Sequence, residues 1–177
     1  MKKVMFTLLA LFISFAPVNT LAADISLNTS KKSLETNSLE LLLDEAKGYS
    51  DNKEIYDKIT PWLKGNLEGL EEVFIDYAIE YEVDPVLAVA ISLFETGNGS
   101  SDLCINNNNF GGMRVNGTWL KFDSREEGAK SYIRNLSRYT QKGLDTPSEM
   151  TDIYAEGSQH WVENVEWFID AINAEDQ

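Results

Sequence analysis

The chain has 177 residues, 29 of them acidic against 15 basic, and a formal net charge of −14. So negative a protein has no general electrostatic attraction for nucleic acid or for an anionic membrane surface. With one cysteine, Cys104, and one histidine, His160, it has no internal disulfide framework and no pattern for a structural zinc site, an EF-hand or a phosphate-cradling loop.

Met1-Lys2-Lys3, the apolar run Val4 to Phe15 and the small pair Ala22-Ala23 read as a secretory signal peptide over residues 1–22. The run is too short to span a bilayer, so no membrane contact is expected after cleavage. About 155 residues then remain, enough for one domain with a real core, and loss of Lys2 and Lys3 takes the charge to −16. Residues 23–65 read as an N-terminal flexible or helical segment. Asp24 to Asn37 is polar. Ser38 to Gly48 has Leu39, Leu42, Leu43 and Ala46 on one helical side, and Asn52 to Leu63 forms a second helix interrupted by Thr60-Pro61.

The domain proper is expected over 66–177. Leu70, Val73, Phe74, Tyr77, Ala78 and Tyr81 make one apolar helical stripe. Asp84-Pro85 supplies an N-cap and a proline at the first helical position, opening an apolar helix that runs to Glu95. Gly97 stops it, because glycine accepts the left-handed conformation that ends helices. Ser100, Ser101 and Asp102 are candidate caps for a short helical piece, and Asn106 to Asn109 form a run of amides able to bind polar ligand groups or to stitch a loop to its own backbone. Asn116-Gly117, flanked by Met113-Arg114-Val115 and Thr118-Trp119-Leu120, predicts a hairpin with a type I′ turn. Ser124 and Glu127 read as a capping box for a helix bearing Ala129, Tyr132, Ile133, Leu136 and Tyr139. Thr146-Pro147 opens another helix toward Tyr154. After Gly157-Ser158, a last amphipathic helix carries Trp161 and Trp167, both expected in the core. The fold class is mainly α (α+β), with one small β-hairpin.

Glu95 is the anomaly in this pattern. It lies among Ala88, Val89, Ile91, Leu93 and Phe94, in the last turn, where the negative end of the helix dipole disfavours a charged carboxylate. Apolar surroundings push its pKa the same way, up. A carboxyl still protonated near neutral pH can serve as a general acid.

The run ETGNGSSDLCINNNNFGGM resembles the E-[ST]-G-x-G-x-S … N-N-x-F-G signature of the bacterial peptidoglycan N-acetylglucosaminidases of glycoside hydrolase family 73, within the lysozyme-like superfamily. KFDSREEGAKSYIRNLSRY and IYAEGSQHWVENV resemble two later blocks of the same family, so the likeness extends from Leu70 to Ile172. It implies a lysozyme-like helical lobe, a peptidoglycan glycan strand as partner, no cofactor or metal, and cleavage of the β-1,4 bond after N-acetylglucosamine. Glu95 matches the family's catalytic acid, and Tyr154 the tyrosine near the catalytic centre. Asn109, Phe110 and Gly111 match the groove segment. Trp119 on the hairpin is a candidate platform for a sugar ring. A monomer is expected, acting outside the cytoplasm in the cell envelope.

The family often carries a second carboxylate in the β-lobe, and Met113 to Phe122 has none. Asp102 and Asp123 are the candidates, with Glu126 and Glu127 near by, although each reads more simply as a cap or first-turn acid. Assistance from the substrate's acetamido oxygen would remove the need for a second carboxylate. A lytic transglycosylase or a muramidase could use the same Glu95. Two rivals come from other classes: a non-catalytic peptidoglycan-binding module, and a wall peptidase built on Cys104 and His160. The last needs an activated thiolate.

Overall fold

The computed structural model describes residues 33, 36–43, 47–48 and 52–174. The predicted leader over 1–22 and most of the predicted polar lead lie outside the described residues. The chain divides into two compact units at Lys47–Gly48. In the first, 36–43 is helical with Leu39, Leu41, Leu42 and Leu43 exposed.

The second unit carries helix α1 over 52–59, which ends where Thr60-Pro61 begins. Ile59 and Leu63 are buried, so the packed core takes in residues upstream of Asn66. After a 3-10 turn at Gly65–Leu67 come α2 (Glu71–Glu80), α3 (Pro85–Thr96), α4 (Asp102–Asn107), strands β1 (Arg114–Val115) and β2 (Thr118–Trp119), α5 (Arg125–Thr140), α6 (Pro147–Tyr154) and α7 (Gln159–Ala174). Mainly helical architecture with one small antiparallel sheet is what the periodicities called for.

Helix α3 is the axle. Asp84 caps it by accepting from the Val86 and Leu87 amides, and every residue from Val86 to Leu93 is buried. Such an all-round apolar helix must be covered on several sides. Helices α2 and α7 pack directly on it, α5 covers α2, and α6 rests on α7.

At its end Gly97 adopts φ 56°, ψ 52°, the left-handed cap. The turn beyond is locked. The Thr96 hydroxyl donates to the Ser92 carbonyl (2.6 Å) and accepts from the Gly99 amide (2.9 Å), while the Gly99 carbonyl accepts from the Asn66 amide (3.1 Å).

The hairpin register pairs Arg114 with Trp119 and Val115 with Thr118. Asn116 and Gly117 both take positive φ, as a type I′ turn requires. Ser101 caps α4, leaving Asp102 as an exposed first-turn acid. Ser124 caps α5, but Glu127 bonds the Asp123 amide instead of that of Ser124. A full reciprocal box forms at Thr146 and Glu149. Trp161 is buried as expected, whereas Trp167 is 59% exposed. Six residues along a helix rotate the side chain about 240°, which carries Trp167 off the face that packs on α3.

Candidate active site

Glu95 stands two residues before the α3 cap. Its Oε1 accepts a hydrogen bond from the indole Nε1–H of Trp161, at 3.1 Å, at the start of α7. Its Oε2 lies against the backbone of Gly112: a methyl at that glycine would sit 3.2 Å from the oxygen. The carboxyl is thus held between α7 and the entry to the hairpin. Burial raises its pKa, and the indole donor, which favours the charged form, offsets part of that rise. A carboxyl so held keeps its proton to a higher pH than a free one and can give it to a leaving oxygen.

Tyr154, the last residue of α6, packs with its ring centroid 5.1 Å from that of Trp161, tilted, and 5.3 Å from that of Tyr139, edge-on. Its hydroxyl is buried without a hydrogen-bond partner among the described residues. Burial and then the neighbouring charge of Glu95 hold its pKa well above the ordinary phenol value, so it stays neutral. Tyr132 lies in the same cluster. Its hydroxyl donates to the Ala88 carbonyl at 2.8 Å, and burial, Tyr154 and Glu95 all push its pKa up. Behind Glu95 the site is therefore a wall of uncharged aromatic side chains with one unmatched hydroxyl.

Asn109 and Phe110, expected in the groove segment, are 1% and 0% exposed. Neither presents its side chain outward; both build the site from behind. The Asn109 Nδ2 donates to the carbonyls of Met113 (2.8 Å) and Leu120 (3.0 Å), and its Oδ1 accepts from the Met113 amide (2.8 Å). One amide thereby closes the base of the hairpin. Gly111 is pressed on the Tyr132 ring, where a Cβ would fall 2.3 Å from Cδ2. These contacts fix Gly112 against Glu95. Trp119 is 49% exposed.

Asp102 and Asp123 are both exposed, and neither contributes to the displaced pKa of Glu95. Cys104 is buried, and its pKa is raised, chiefly by burial, which opposes the thiolate a peptidase needs. His160 is exposed on α7 and pairs with Asn164. Among the described residues no group of three His, Cys, Asp or Glu side chains could hold a metal.

Sequence reasoning missed Trp161, Gly112 and Tyr132 as parts of this site. Helical spacing marks Trp161 and Tyr132 as inward-facing, yet says nothing of where an indole N–H or a phenol points. Gly112 carried a usable signal, a second glycine after Phe110 where close backbone approach is the usual reason.

A family model of glucosaminidases, described as mannosyl-glycoprotein endo-β-N-acetylglucosaminidase, matches residues 71–174. Comparison with curated proteins gives no match. Glu95, Gly112, Tyr154 and Trp161 all fall inside the matched span, which exceeds half of the chain, and this protein accordingly belongs to the glucosaminidase family of glycoside hydrolases.

Proposed function

We propose that this chain is an exported peptidoglycan hydrolase that cleaves the β-1,4 bond after N-acetylglucosamine, with Glu95 as the general acid. The observation that carries this reading is the Glu95 carboxyl, largely buried at a helix end, raised in pKa and fixed by Trp161 and Gly112. In its protonated form it gives a proton to the glycosidic oxygen as the bond to the anomeric carbon breaks. The sugar left behind develops oxocarbenium character, and the fresh Glu95 carboxylate is stabilised by the indole N–H. Tyr154, neutral and with a buried, unmatched hydroxyl beside Trp161, is assigned a supporting role next to the acid.

No second carboxylate influences Glu95 among the described residues. The hairpin from Met113 to Phe122 also carries no acid, and attack by the substrate's own acetamido oxygen, a known exception to the two-carboxylate scheme, would need none. Water then opens the cyclic intermediate, and Glu95 recovers its proton. Lytic transglycosylation would use the same acid and end in an anhydro sugar.

Export follows from the Met1 to Ala22 leader. No described helix is long and apolar enough to cross a membrane. The decisive variant is Glu95→Gln. It is expected to fold, to sediment with purified peptidoglycan and to leave a zymogram gel uncleared; undiminished clearing would reject Glu95 as the acid.

A further inference from the structure

The charge distribution singles out the hairpin. Residues 103–122 contain Arg114 and Lys121 and no acid, in a chain with 29 acidic residues. Arg114 is exposed, and no carboxylate pairs with it among the described residues. Its guanidinium lies 5.7 Å from the centroid of the Trp119 ring, its partner in the strand register. Cross-strand partners share a face of the sheet, and a guanidinium drawn to an aromatic ring retains N–H donors for contact with a carboxylate. The pair is also tethered to the chemistry, because Gly112, two residues before Arg114, lies so near Glu95 that an added Cβ would sit 3.2 Å from its Oε2.

We infer that Arg114, held over the Trp119 ring, is a specificity residue that binds a carboxylate of the peptide stems carried by the glycan strand. This rests on the peptidoglycan reading above and deepens it. Trp119 takes an apolar sugar face, and Arg114 distinguishes a stem-bearing strand from an uncharged polymer of N-acetylglucosamine. A protein of net charge −14 repels an anionic wall in general. A local cation without an internal partner lets it accept that wall in one orientation.

The test compares the full chain with Arg114→Gln and Arg114→Lys on one peptidoglycan preparation, before and after its carboxylates are amidated with carbodiimide and ammonium. The wild type is expected to favour the native material by about 5-fold in kcat/KM, the size of one exposed ion pair. Arg114→Gln should lose that preference through KM. Arg114→Lys should keep part of it. Added salt should weaken binding of Glu95→Gln to native peptidoglycan relative to binding of the Glu95→Gln, Arg114→Gln double variant. An unaltered preference in Arg114→Gln overturns the proposal while leaving the hydrolase reading intact. A wild type inert on both substrates overturns both.

Discussion

Replacing Trp161 by Phe removes one hydrogen-bond donor from Glu95 and little else. Phenylalanine keeps most of the ring that packs 5.1 Å from Tyr154 and fills most of the buried volume. What disappears is the Nε1–H to Oε1 contact at 3.1 Å. A hydrogen bond to a charged group is worth about 1.5–3 kcal/mol, and here it acts on the ionised carboxylate, opposing the effect of burial. Without it the proton affinity of Glu95 rises about tenfold or more. The alkaline limb of kcat/KM, where the general acid loses its proton, should therefore move to higher pH. Its midpoint should fall at an at least tenfold lower proton concentration. The plateau should drop as well, since the carboxyl is less firmly oriented. A pH–rate profile on soluble peptidoglycan fragments separates the two effects, because a role in packing alone lowers the plateau and leaves the limb in place. A Trp161→Phe enzyme with an unmoved alkaline limb would refute the electrostatic role assigned to the indole.

Glu95→Gln should be more stable than the parent at neutral pH and no more stable near pH 4. A carboxyl whose folded pKa is raised contributes stability that is full below its unfolded range and is lost as pH climbs through the folded value; urea melts at the two pH values read this directly. Gly112→Ala combines a positive φ of 59° with a methyl 3.2 Å from Glu95 Oε2. It should cost about 1–2 kcal/mol of stability and, by displacing the acid, about 100-fold in kcat, measured by denaturation and by muropeptide release. Asn109→Ala strips the amide that holds Met113 and Leu120. It should destabilise by about 3 kcal/mol and speed hydrogen exchange at the base of the hairpin.

The sequence was most legible where a backbone rule has one cheap solution. Asp84-Pro85 could only open a helix, Gly97 could only end one, and Asn116-Gly117 could only turn a hairpin. Those three signals place Glu95 at a helix end and a hairpin downstream of it. Legibility failed where the outcome depends on the direction of a side chain. Trp161 and Trp167 have the same residue type on the same helix, yet the first is buried against Glu95 and the second is exposed. Asn109 sits in a motif that suggests ligand contact, and packing turned it inward as a staple. The capping box was expected at Ser124 and Glu127, and the complete one formed at Thr146 and Glu149, because Glu127 reached one residue further back to Asp123.

Mass spectrometry of peptidoglycan digested by the purified wild-type chain, with Glu95→Gln as the parallel sample, tests the central claim most directly. Products ending in reducing N-acetylglucosamine from the wild type, and none from the variant, are the predicted result. Reducing-end N-acetylmuramic acid, cut peptides, or equal products from both proteins would contradict it.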